Sequence, residues 1–197
     1  MDASIKQLLK GVNLYLIGMM GSGKTTIGSL LAQAVNYSFI DTDEVIVKAA
    51  GKPISDIFTT EGETAFRQLE SNVLAQVCAY TKLTIATGGG IVLRRENWSY
   101  LHHGLIIWLD VSVEILLERL KEDQTRPLLQ HPDPQSKLRS LLDERYSLYS
   151  QADLHIEITQ QETPGQTVTN ILQAIPGVLK KTGREIPKLT QSSIIFS

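Results

Sequence analysis

Three observations predict an α/β fold with a central parallel sheet covered by helices on both faces. Five short, mostly apolar runs recur along the 197 residues, helical patterns long enough to serve as crossovers separate most of them, and a glycine-rich turn joins the first run to the first helix. The hydrophobic fraction of 42% and the chain length suit one well-buried domain and are too small for two ordinary ones. A formal charge of −2 gives no bulk field to attract nucleic acid or anionic lipid, so neither is expected as a partner. The single cysteine, Cys78, cannot close an internal disulfide, lies in a mostly apolar helical stretch and suits a reducing compartment.

The first strand is read at Asn13 to Ile17, and it runs directly into Gly18-Met-Met-Gly21-Ser22-Gly23-Lys24-Thr25. This matches G-x-x-x-x-G-K-[ST] at the strand-to-helix junction the pattern requires, where successive backbone N–H groups converge on a phosphate. Gly21 and Gly23 let the backbone curl, Lys24 can reach the β/γ-phosphates, and the Thr25 hydroxyl can ligate Mg²⁺. A helix follows from Lys24 to Ala34, then a second strand from Tyr37 to Ile40. The latter ends in Asp41-Thr42-Asp43-Glu44, outside the carboxyl end of a strand, where ligands gather in such sheets. For the aspartates two readings stand: one caps the helix expected over Asp43 to Ala50, or the pair works beside the phosphate loop, one through Mg²⁺ and one on an acceptor hydroxyl.

An insertion at about 51–70 leads into a helix expected from Glu61 to Tyr80, on which spacing puts Glu63, Arg67 and Glu70 on one face. That face can be a solvated row of ion pairs or part of a site. The third strand, Leu83 to Thr87, is followed by Gly88-Gly89-Gly90, where three glycines would weaken a structural turn and point instead to a close approach of backbone to ligand, a tight turn being the alternative. The fourth strand is read at Leu105 to Leu109 and the helix after it at Val113 to Lys121. Glu122 to Asp133, rich in Asp, Gln, Pro and charge, reads as a mobile flap. A helix from Gln135 to Tyr149, a fifth strand from Leu154 to Ile158 and a helix from Thr167 to Leu179 complete the domain. Arg119, Arg126 and Arg145 border the flap; each alone reads as surface charge, together as a means of neutralising a transferring phosphoryl group. The expected organisation is one domain over 1–180, with a substrate-binding insertion at about 42–70, a lid at about 121–133 and a peripheral tail at 181–197.

These motifs, in this order, resemble the shikimate kinase family over the chain from about Leu9 to Leu179. The resemblance rests on the phosphate loop, on Phe39-Ile-Asp41-Thr-Asp43, on Ile57-Phe58 with Glu61-Gly-Glu-Thr-Ala-Phe-Arg67-Gln-Leu-Glu70, on Thr87-Gly-Gly-Gly90, on Arg126-Pro-Leu-Leu129 and on Arg145-Tyr-Ser-Leu-Tyr149. It implies a P-loop fold with strand order 2-3-1-4-5 and ATP-dependent phosphorylation of the 3-hydroxyl of shikimate, with ATP and Mg²⁺ as cofactors. It further implies that Asp43 holds the ring hydroxyls and takes the proton of the reacting one, and that Arg67 and Arg145 grip the carboxylate. Glu70 would orient Arg67, Gly88, Gly89 and Gly90 would form the site floor, and Asp41 would join Thr25 at the metal. On the nucleotide side it implies contacts from Gly21, Ser22, Gly23, Lys24, Thr25 and Thr26, adenine between Arg119 and Pro164, and the lid residue Arg126 on the transferring phosphate. Lys24 and Arg126 complete the catalytic set with Asp43.

Rival readings are a small-molecule kinase for gluconate or a nucleoside monophosphate, a GTP switch, and a kinase-like protein that binds without turnover. The carboxylate clamp disfavours the first, the sequence lacks N-K-x-D and D-x-x-G segments for the second, and retention of Lys24, Asp43 and the arginines disfavours the third. With no basic-then-apolar leader and no apolar run near the length of a membrane span, a soluble cytoplasmic monomer is expected, or a stromal one if a plastid transit peptide was removed.

Overall fold

The computed structural model describes residues 3–121 and 133–182, which form a five-stranded sheet in the order β2-β3-β1-β4-β5. The strands are β1 (Leu14–Ile17), β2 (Ser38–Asp41), β3 (Leu83–Ala86), β4 (Leu105–Val111) and β5 (Leu154–Ile158). All four pairings are parallel, and Leu16 of the central strand lies opposite Ala86 on one side and Ile107 on the other. β1 and β3 are buried along their whole length, which is why they read as continuous apolar runs. At the edge, β5 alternates, with Leu154, Ile156 and Ile158 inward and His155 and Glu157 outward.

The helices are α1 (Ala3–Leu9), α2 (Lys24–Val35), α3 (Thr42–Ala50), α4 (Ile54–Val77), α5 (Arg95–Leu101), α6 (Val113–Leu120), α7 (Pro134–Tyr149) and α8 (Pro164–Thr182). α2 lies close on the sheet because Gly28 has no side chain: a Cβ there would stand 2.7 Å from the Phe39 ring and 2.8 Å from Leu16. Asp41 caps α3 by accepting from Asp43 N at 2.9 Å, and Gly51, left-handed at φ 66°, ends it. Among the described residues no helix is long and apolar enough to cross a membrane.

Four helical segments differ from expectation, the first being α1, for which no helix was anticipated. α4 starts at Ile54 instead of Glu61; its backbone leaves helical geometry at Gly62 (φ 83°, ψ 170°) and resumes, while the extra N-terminal turn buries Ile57. α5 was not anticipated, since its short span offers only Trp98 and Leu101 as an apolar pair one turn apart. α8 begins three residues early at Pro164, where Thr163 and Gln166 form a reciprocal cap: Thr163 N donates to Gln166 Oε1 at 2.8 Å, and Gln166 N to Thr163 Oγ1 at 3.4 Å. It also runs to Thr182, past the expected domain limit.

Candidate active site

At the carboxyl end of β1 the backbone turns through Gly18 (φ 141°), Gly21 (φ 76°) and Gly23 (φ 92°) into α2. At Gly18 the need for glycine is doubled, because a Cβ would meet the Leu109 carbonyl oxygen at 2.6 Å. Lys24 Nζ folds across this loop, donating to Gly18 O at 2.9 Å, Met19 O at 2.7 Å and Ser22 Oγ at 3.3 Å. The ammonium is thus held over the concavity toward which α2 directs its N-terminus. Ser22 is fully buried, with its N–H donating to Met19 O at 3.2 Å, so its side chain supports the loop from beneath.

Thr25 Oγ1 donates to Asp41 Oδ2 at 2.7 Å while Asp41 Oδ1 serves the α3 cap. The capping reading holds for Asp41 through one oxygen, and the other is turned to the phosphate loop. The donor set fits Mg²⁺: a hydroxyl and a carboxylate side by side offer hard oxygen ligands, and Mg²⁺ binds few protein groups beside phosphates and waters. Among the described residues there is no group of three or more His, Cys, Asp or Glu able to hold a metal ion.

A cavity of about 550 Å³ opens over this loop, lined by Gly21, Gly23, Lys24, Thr25, Thr26, Asp41, Arg119 and Pro164 among others. Arg119 is anchored there by donating from Nη1 to Gly21 O at 3.3 Å and Ser22 O at 3.4 Å. Ile158, Glu162 and Thr167 join the same wall. Sequence reasoning passed over them, although the capping pair at the start of α8 marks where that wall begins.

A second cavity, of about 680 Å³, is lined by Asp43, Arg67, Glu70, Gly88, Gly89, Gly90 and Arg145, with Ile54, Phe58 and Phe66 supplying an apolar side. Met20, Asp43 and Gly89 line both cavities, so the two adjoin at these residues. Arg67 donates from Nη1 to Glu70 Oε2 at 2.7 Å, and from Nη2 and Nε to the single oxygen Glu63 Oε1 at 3.1 and 3.3 Å. Glu63 is 64% exposed and Glu70 1%, so the solvated-face reading holds for Glu63 and fails for Glu70. Burial pushes the Glu70 carboxyl above the ordinary carboxylate range, with Arg67 opposing the shift.

The glycine run makes room for these side chains. A Cβ on Gly90 would fall 2.2 Å from Arg67 Nη1, and one on Gly88 would fall 2.4 Å from Glu70 Oε1 and 2.9 Å from Asp43 Oδ1. The glycines were expected to admit a ligand; the structure gives Gly88 and Gly90 a different reason, the room that Glu70, Asp43 and Arg67 need. Arg145 comes from α7 on the opposite side, is 9% exposed, and donates from Nη1 to Gly89 O at 3.3 Å; its Nε is buried with no hydrogen-bond partner among the described residues. Phe58 and Phe66, whose ring centroids are 4.5 Å apart, belong to motifs that carry the resemblance but were given no place in the site. Arg126 lies outside the described residues.

The family model for shikimate kinase matches residues 20–176. A shikimate kinase from Trichormus variabilis is 67% identical over 178 residues, covering 90% of this chain and 98% of the relative. The chain belongs to the shikimate kinase family. A Nostoc sp. shikimate kinase is 66% identical with the same coverage. Among solved structures, shikimate kinase from Acinetobacter baumannii in complex with shikimate matches with a TM-score of 0.82 at 38% identity, covering 88% of this chain and 97% of that one. A gluconokinase from Sinorhizobium meliloti shares the fold alone, at 18% identity and a TM-score of 0.52. With the family come kinase activity and the use of ATP.

Proposed function

We propose that this chain moves the γ-phosphoryl group of ATP to the 3-hydroxyl of shikimate, giving ADP and shikimate 3-phosphate, with Asp43 accepting the hydroxyl proton. The observation that carries this reading is the position of Asp43 where the phosphate-loop cavity and the Arg67/Arg145 cavity adjoin. A carboxylate there lies within reach of both substrates, and a general base needs hydrogen-bonding access to the hydroxyl it deprotonates. Two arginines on opposite walls of the acceptor cavity suit a small carboxylate whose hydroxyls point at Asp43 and the glycine floor.

In this reading Gly21, Gly23, Lys24, Thr25 and Thr26 hold the phosphates, with Ser22 supporting the loop, and Arg119 and Pro164 flank the base. Thr25 and Asp41 would hold Mg²⁺, which neutralises charge on the β/γ-phosphates when bound. Arg67 and Arg145 grip the carboxylate and Glu70 orients Arg67, fixing the acceptor in line. Arg126 stabilises charge on the transferring group, and a lid over 121–133 excludes water as a rival acceptor. Residues 1–180 act as one catalytic domain with a substrate-binding insertion at 42–70, working as a cytoplasmic monomer.

An ADP-release assay on the purified chain, run with shikimate, gluconate and nucleoside monophosphates, tests the assignment. ADP release stimulated by shikimate alone is expected; equal or greater stimulation by another acceptor contradicts it.

A further inference from the structure

The Gly89 carbonyl is the meeting point of three elements. It accepts from Tyr149 Oη at 2.6 Å and, more weakly, from Arg145 Nη1 at 3.3 Å, and the same Tyr149 hydroxyl lies 3.7 Å from Met19 Sδ in the phosphate loop. Tyr149 and Arg145 are four residues apart on α7, hence on one face of it. Tyr149 is fully buried, and its ring stacks on Trp108 with centroids 5.8 Å apart, so core packing fixes where the hydroxyl points. It lines neither cavity, whereas Gly89 lines both.

We propose that Tyr149 is a positioning residue for the acceptor site: by satisfying the Gly89 carbonyl, its hydroxyl leaves Arg145 available to a substrate carboxylate. A carbonyl oxygen has two lone pairs, and here the neutral phenol makes the short bond while the guanidinium makes the long one. Burial raises the Tyr149 pKa and outweighs the opposing charge and hydrogen bond of the Arg145 guanidinium beside it, which keeps the hydroxyl protonated and donating. Without that hydroxyl, the half-buried carbonyl would keep Arg145 as its protein donor of the two, and a charge-assisted bond to it would shorten. Arg145 would then have to break that bond before gripping substrate. Loss of the hydroxyl also removes the shorter of the two bonds by which α7 holds the Gly89 carbonyl, leaving the longer one from Arg145.

This inference rests on the reading of the second cavity as the shikimate site, and the test separates the two. The full chain and its Tyr149→Phe variant are assayed together for shikimate phosphorylation. Phenylalanine keeps the stack on Trp108 and removes one oxygen, so the fold is retained. The expected result is a KM for shikimate raised about 5- to 20-fold, with kcat and the KM for ATP within about 2-fold of wild type. In an Arg145→Lys background the same change is expected to raise KM by less than about 2-fold, because the residue it acts through is already altered. A lower thermal midpoint with an unchanged KM for shikimate would assign Tyr149 to packing alone and overturn the proposal, as would equal effects in the two backgrounds. Failure of the wild-type chain to phosphorylate shikimate would instead count against the proposed function.

Discussion

Glu70 Oε2 accepts from Arg67 Nη1 at 2.7 Å across one turn of α4, and the carboxylate is the more deeply buried partner, at 1% against 15% exposure. Replacing Glu70 by Gln keeps the shape and removes the charge that orients Arg67. The KM for shikimate is expected to rise about 10-fold, near 1.4 kcal/mol, with kcat changed much less. Stability should respond in the opposite sense. Because burial raises the folded-state pKa of Glu70 above its usual 4.5, the carboxyl's contribution is fully present below that value and is lost as pH rises through the folded pKa. Wild type should therefore lose stability relative to Glu70→Gln as pH is raised above 4.5, measured as the difference between their urea midpoints. A constant difference over that range would contradict the assignment.

Gly90→Ala inserts a methyl group where the Arg67 guanidinium now lies, 2.2 Å from Nη1. The backbone at Gly90 (φ −97°) is open to alanine, so the conflict falls on the side chain and the fold is retained. A rise of about 10-fold or more in the KM for shikimate is expected with an unaltered KM for ATP, read from initial rates.

Asp41→Asn should separate the two jobs of that residue. Asparagine caps a helix about as well as aspartate, so the thermal midpoint should change by an amount equivalent to less than about 0.5 kcal/mol. The Mg²⁺ concentration giving half-maximal rate is expected to rise about 10-fold or more, since one anionic oxygen beside Thr25 is lost. An unchanged Mg²⁺ dependence would leave Asp41 with its cap alone.

Arg126→Ala should lower kcat by about 10²-fold or more while changing the KM for shikimate far less, because its contact strengthens as charge develops on the transferring phosphate. Steady-state kinetics with shikimate varied at saturating ATP read both quantities.

The sheet was legible because β1, β3 and most of β4 are apolar on both faces, and because the phosphate loop fixes where β1 ends. Strand order was not, since spacing does not say on which side of β1 a crossover lands; the family resemblance supplied it. Within the site, Lys24 and Thr25 follow from a contiguous motif. Glu70 does not: its three-residue spacing from Arg67 is that of any surface pair, and its burial depends on Gly88, from another element, leaving room at Oε1. Asp41 was ambiguous because a carboxylate has two oxygens and the sequence cannot divide them between cap and Thr25. The first turns of α4 were read as part of the insertion at about 51–70, and the break at Gly62 falls inside the helix expected from Glu61. Tyr149 stood only as the last residue of the Arg145-Tyr-Ser-Leu-Tyr149 motif, and its hydroxyl bond to Gly89 is a tertiary contact that no local pattern announces.

Asp43→Asn tests the central claim most directly. Asp43 lies in the first turn of α3 without capping it, and lines both cavities, so the amide should leave the helix, the phosphate loop and ATP affinity intact. It retains an acceptor oxygen but is not basic enough to take the hydroxyl proton. Turnover of shikimate is expected to fall about 10²-fold or more, with the thermal midpoint and the dissociation constant for ATP close to wild type. Wild-type kcat in a stably folded Asp43→Asn protein would contradict the assignment of Asp43 as the proton acceptor.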